Sequence, residues 1–207
     1  MPPKVKFTKE EIVNAALNVA RAKGAQGVTT RDIAAELGVS TRPIFTYFKS
    51  MDEVHAEVRL AAQAVYDEYA AEGLRMPVPF HGFGIQYLRF AKREPELYRL
   101  LFLTQGPDGK SGAMAAMEHS QAQVRESLMR IYHMDAPTAD RYFRDLWLVV
   151  HSLATLIVTG ACPYSDQELG AILTGFSVSV CKAIKEIDGF VDGSFDRDAV
   201  FTALIRE

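Results

Sequence analysis

The stretch STRPIFTYFK, residues 40–49, places four hydroxyls (Ser40, Thr41, Thr46 and Tyr47), a guanidinium (Arg42) and an ammonium (Lys49) within ten positions. None of these has a general base at catalytic spacing, so the chemistry on offer is recognition. A guanidinium is a planar fork that can hold both acceptors of a guanine edge. Thr41 or Thr46 can reach a base or a thymine methyl group, while Tyr47 and Lys49 suit phosphate oxygens. Ten residues upstream, Thr29, Thr30 and Arg31 open another polar helix start, a place where backbone N–H groups favour anions. A second constellation lies further along the chain. Phe83, Tyr87, Phe90, Leu101, Phe102, Met114, Met117 and Trp147 could line an apolar pocket, with His119 and His151 as its polar groups. The chain shows no paired His/carboxylate at metal spacing, no nucleophile elbow and no phosphate-binding glycine loop. Neither an enzyme nor a bound cofactor or metal is expected.

The elements that must position these residues read at the helical period, and the predicted fold class is all-α with nine or ten helices. Thr8 caps a first helix, with Glu11 as its capping-box partner and Ile12, Val13, Ala16, Leu17 and Ala20 as its stripe. Thr29 or Thr30 starts a short second helix with Ile33, Ala34 and Leu37 inside, and Gly38 turns the chain. Ser40 is expected to cap a third helix, with Thr41, Arg42 and Pro43 in its first turn and Ile44 and Phe48 facing the core. Pro43 disfavours helical geometry at Arg42, so that turn is expected to be distorted. This is helix-turn-helix spacing, in which the second helix of the pair enters the major groove. A long helix over 51–74 follows, with Val54, Val58, Ala61, Val65 and Tyr69 along one side. Pro77 and Pro79 break the chain, Pro95 opens a further helix, and GPDGKSG (106–112) reads as a flexible loop. Three helices follow, over about 113–133, 136–160 and 166–187. The middle one is apolar nearly all round, and the last carries a clean stripe of Leu169, Ile172, Leu173, Phe176, Val180 and Ile184. One chain has too few helices to cover both, which points to a homodimer joined by a four-helix interface.

Charge divides the chain in the same way. Residues 1–50 hold eight Lys/Arg and four acidic residues, a net of +4; the remainder holds 15 basic and 22 acidic residues, a net of −7. A basic head on an acidic body points the head towards a polyanion. Met1–Lys9 has no apolar core of a signal peptide, and Leu146–Ala161 falls short of the roughly 20 residues of a membrane span. The expectation is a cytoplasmic protein without a membrane partner. Cys162 and Cys181 fit no metal spacing and are expected as buried small hydrophobes.

Residues 8–54 resemble the DNA-binding region of the TetR family of transcriptional regulators. The resemblance rests on TKEEIVNAALNVARAKG, VTTRDIAAELGVS and IFTYFKSMDEV, in that order and spacing. FAKREPELYRLLF and LWLVVHSLATLIVTG resemble segments in the ligand-binding domains of some members. Three positions depart from the pattern: Pro43 where alanine is common, Phe45 where tyrosine is frequent, and Met51 where lysine is usual. The resemblance implies a DNA-binding domain over 1–50 and a ligand-binding and dimerisation domain over 51–207. It further implies a homodimer on a near-palindromic double-stranded operator, released by a small apolar or aromatic effector. The alternative is an all-α carrier or enzyme whose head has no regulatory role.

Overall fold

The computed structural model describes residues 7–106, 109 and 112–206, which form ten α-helices and one short 3₁₀ turn, Ala25–Gly27. Helix α1 spans Lys9–Lys23, α2 Thr30–Leu37, α3 Ile44–Tyr47, α4 Met51–Leu74 and α5 Pro79–Arg93. Helix α6 spans Pro95–Phe102, α7 Gly112–Tyr132, α8 Ala136–Val158, α9 Asp166–Glu186 and α10 Arg197–Arg206. Of the stretches read above as a loop or a polar leader, residues 107, 108, 110, 111 and 1–6 lie outside the described residues. No helix among the described residues is long and apolar enough to cross a membrane.

The helix ends follow from local chemistry. The Thr8 hydroxyl accepts from the Glu11 N–H at 3.1 Å, and the Glu11 carboxylate accepts from the Thr8 N–H at 2.7 Å. Ser165 and Glu168 repeat the arrangement at α9, where the Ser165 N–H holds the Glu168 carboxyl below its usual range. Gly38 ends α2 at φ 67°, a left-handed conformation that costs glycine little.

Helix α3 departs from expectation. It is four residues long, Pro43 holds its cap position, and Ser40 makes no cap. An N-cap serine bonds the backbone N–H two or three residues on. The third residue after Ser40 is Pro43, which has no N–H to give; a turn closed by the Ile44 N–H on the Thr41 carbonyl precedes the helix, which starts at Ile44.

Helix α4 runs from the head to the body. Its buried face is Val54, Val58, Ala62, Tyr66, Ala70 and Gly73; Ala61, Val65 and Tyr69, expected inside, are only half-buried. The expected stripe steps by three residues from Val58 to Ala61 where the buried face steps by four to Ala62, and it stays one position off from there on. Tyr66 is in fact fully buried, edge-on to Phe90 at 5.4 Å and Phe102 at 5.3 Å. Helix α9 is the other departure: Leu169 and Leu173 are buried, whereas Ile172, Val180 and Ile184 are half-buried and Phe176 is exposed. Cys162 and Cys181 are free and half-buried. Helix α10 was not expected at all, because its apolar residues Phe201, Leu204 and Ile205 are exposed and make no inward stripe.

Helices α4 and α5 meet backbone to backbone. A Cβ at Gly73 would sit 2.6 Å from the Gly82 carbonyl oxygen and 2.7 Å from Phe83 Cα, closer than real Cβ contacts come. Gly73→Ala should therefore lower the unfolding free energy by about 1–3 kcal/mol. Alanine's helix preference of up to about 1 kcal/mol opposes this without cancelling it. The midpoint of urea unfolding measures the outcome.

Candidate nucleic-acid interface and small-molecule cavity

The head is a small core with a polar rim. Ile12, Val28, Ile33, Ile44 and Phe48 are buried together and hold α2 and α3 against α1. The Thr29 hydroxyl caps α2 by accepting from the Asp32 N–H at 3.2 Å. Lys23 bonds the Asp32 carboxylate at 2.6 Å and, with the Thr29 hydroxyl, holds it below the usual carboxylate range. Thr29, Arg31, Ser40, Thr41, Arg42, Thr46, Tyr47 and Lys49 are exposed, and Thr30 and Pro43 are half-buried. All ten lie on α2, on α3 or on the residues that flank these two helices. Three have their polar atoms engaged, the Thr29 hydroxyl through its bonds with Asp32. The Tyr47 hydroxyl donates to the Phe7 carbonyl at 2.8 Å, so its single proton is not free for another acceptor. The Thr46 hydroxyl points back to the Arg42 carbonyl at 3.4 Å.

In the body, Phe83, Tyr87, Phe90, Leu101, Phe102 and Trp147 are buried, as part of one aromatic cluster or beside it. Trp147 stacks on His151 with centroids 4.6 Å apart and planes 8° from parallel. The hydroxyls of Tyr87 and Tyr98 face His151 Nδ1 at 3.0 and 2.9 Å. Burial pushes Tyr98 up to about 12 and Tyr87 well above its ordinary value, so both keep their protons; the single lone pair of a neutral Nδ1 accepts from one of them at a time. Burial also lowers the His151 pKa, which favours a neutral ring.

A cavity of about 30 Å³ opens between α5, α8 and α9, walled by Phe80, Phe83, Phe143, Leu146, Trp147 and Leu173. His81 and Ser177 are polar residues in its lining, and no charged side chain lines it. Of the ten pocket residues expected from sequence, Phe83 and Trp147 lie on it; Tyr87 and His151 stand directly behind Trp147. Met114 is exposed and Met117 half-buried on α7. His119 bonds Asp67 at 2.8 Å on the α4–α7 surface, away from the cavity. Sequence reasoning missed Phe143 and Leu173 as walls and Tyr98 as a partner of His151. Phe143 stands four residues before Trp147, on the same face of α8, and that spacing could have revealed it.

Helix α6 joins these regions. Tyr98 and Phe102 belong to the aromatic cluster. At its start Glu94 pairs with Arg21 of α1 at 2.9 Å. Beyond its end, Arg59 of α4 donates to the Thr104 hydroxyl at 2.7 Å and to the Gln105 carbonyl at 2.9 Å.

The family model for "Bacterial regulatory proteins, tetR family" matches residues 12–58, and that for "Tetracyclin repressor-like, C-terminal domain" matches residues 80–174. The chain belongs to the TetR family. Its fold is that of solved TetR structures. A TetR-like transcriptional regulator from Rhodococcus sp. RHA1 superposes with a TM-score of 0.61 at 14% identity, covering 90% of this chain and 99% of that one. A TetR family member from Streptomyces coelicolor A3 gives 0.60 at 20% identity, covering 81% and 96%. A protein described as a transcriptional regulator from Pseudomonas aeruginosa PAO1 gives 0.63 at 16% identity, covering 89% and 95%. No curated protein matches the chain. This TetR-family chain is accordingly a DNA-binding transcriptional regulator built on an all-α fold.

The neutral His151 of this TetR-family protein carries a linkage. A ring that titrates lower when folded stabilises the native state fully above about pH 6.5. That contribution is lost as pH falls through the lowered native value. The wild type should lose stability as pH falls below about 6.5, and His151→Gln should lose less over the same fall, in urea unfolding at each pH.

Proposed function

We propose that the protein is a homodimeric, ligand-responsive repressor. It holds a near-palindromic double-stranded operator through residues 1–50 and is released when a small apolar or aromatic effector enters the body, residues 51–207. The observation that carries this reading is α6. One short helix touches the aromatic cluster through Tyr98 and Phe102, the head through Glu94 and Arg21, and α4 through the Arg59 bonds just beyond its end. The cavity beside Trp147 is too small for a drug-sized molecule, which needs roughly 300 Å³ or more. An effector there must push α5, α8 or α9 aside, and Tyr98 and His151 carry that displacement to α6. An effector acts only through its differential affinity for the two arrangements. The absence of charge in the cavity lining favours a neutral molecule.

Dimerisation is supported by what the single chain leaves uncovered. Leu148 is 51%, Phe176 48% and Val178 52% exposed on α8 and α9, and a shallow apolar groove runs between the two helices. A second copy offering the same pair would cover both faces. Two recognition helices could then stand about 34–36 Å apart and reach successive major grooves. On DNA we assign Arg42 to a guanine edge, Thr41 to a neighbouring base, and Thr29, Thr30, Arg31, Ser40 and Lys49 to phosphates. Tyr47 would reach a phosphate only by giving up its bond to Phe7.

The test is selection of duplexes from a random library with the full chain, followed by fluorescence anisotropy. Arg42→Ala should weaken the selected site by about 1–3 kcal/mol. Lys49→Ala should flatten the dependence of log affinity on log salt by about one unit. Phe176→Glu should yield monomers in sedimentation and abolish tight binding to the full site. A wild-type chain that stays monomeric and selects no duplex would overturn the reading.

A further inference from the structure

We infer that Phe45 is a specificity residue that reads the C5-methyl group of a thymine; the inference rests on the DNA-binding reading above. Helix α3 has only four residues, so each side chain has a defined direction. Ile44 points into the core, and Phe48, one turn later, does the same. Tyr47 leans towards the chain before α1, where its hydroxyl meets the Phe7 carbonyl. Successive residues turn by about 100° on a helix, so Thr46 points most directly away from the core and Phe45 stands on the flank opposite Tyr47. Phe45 is 53% exposed, and no ring or cation among the described residues stacks on it. Apart from Tyr47, it is the single large apolar side chain exposed on the described part of the head.

A bare phenyl ring on that face has few possible partners. It has no donor for phosphate and no group to pair with the acceptors and donors of the base edges. The floor of the major groove offers one apolar feature, the thymine C5-methyl. Thr46, its hydroxyl turned back to Arg42, offers only the small methyl of its own side chain. Burial of the ring edge and the methyl group together removes apolar surface from water, and cytosine or deoxyuridine at that position forfeits the gain.

The experiment uses the selected operator and the full-length protein. Each thymine is replaced in turn by deoxyuridine, which keeps every hydrogen-bonding group and loses only the methyl. The wild type should lose about three- to fivefold in affinity at one thymine per half-site, the size that one buried methyl supports. Phe45→Ala should bind more weakly and be indifferent to the change at that position, while remaining sensitive to loss of the guanine assigned to Arg42. Phe45→Leu should keep part of the methyl sensitivity. Uniform indifference of the wild type to deoxyuridine overturns the inference and leaves the regulator reading standing, as does methyl sensitivity that persists in Phe45→Ala. Failure to select any duplex overturns both.

Discussion

A tyrosine hydroxyl taken out of water must find a hydrogen-bond partner or cost the fold free energy. Four tyrosines of the body answer that demand across helix boundaries. Tyr66 of α4 meets Ser120 of α7 at 2.7 Å, and Tyr142 of α8 meets Ser177 of α9 at 2.7 Å. Tyr87 of α5 and Tyr98 of α6 both meet His151 of α8. Each of the six helices from α4 to α9 is thus tied to another through a polar atom of fixed position. Apolar packing tolerates small slips along a helix, whereas a hydroxyl with one geometrically suitable partner does not. These bonds set the register in which the aromatic rings meet, and the register sets where the cavity opens.

Much of this was legible from residue order. The capping boxes at Thr8 and Ser165, the glycine turn at Gly38 and the proline starts at Pro79 and Pro95 are local, and local chemistry decides them. The helix-turn-helix was legible because its inward residues, Ile33, Ala34, Ile44 and Phe48, lie at helical spacing. Legibility failed where a residue's role depends on something distant. The length of α3 turned on a missing N–H at Pro43, a donor that a serine cap needs. The face of α4 was misread because helical spacing allows a step of three or four, and the partner that fixes the choice, Ser120 on Tyr66, lies 54 positions away in sequence. The cavity walls come from three helices whose mutual placement no short-range pattern encodes. Met114 and His119 share α7 with buried residues yet face outward, since an apolar or titratable type alone does not decide which side of a helix it occupies.

The head and body differ in how they are held. The head depends on a small apolar core and exposed ion pairs such as Lys9 with Glu57 and Lys23 with Asp32, whose strength falls with salt. The body depends on buried aromatics and their hydroxyl bonds, which salt screens far less. Between them stands the Arg21–Glu94 pair, while the partly buried Arg59 clamp holds α4 to the chain beyond α6 within the body. A displacement of α6 is therefore opposed by charged, adaptable contacts on the head side and by stiff aromatic packing on the other.

The chain contains one tryptophan, and it is Trp147. Its indole forms a wall of the cavity on one side and lies flat against an imidazole on the other. Near-ultraviolet emission excited at the red edge therefore originates from this spot alone, with the eight tyrosines left dark. The molecule carries an intrinsic optical reporter where its cavity meets the bonds of Tyr87 and Tyr98 to His151, and no dye or label is needed to watch that junction.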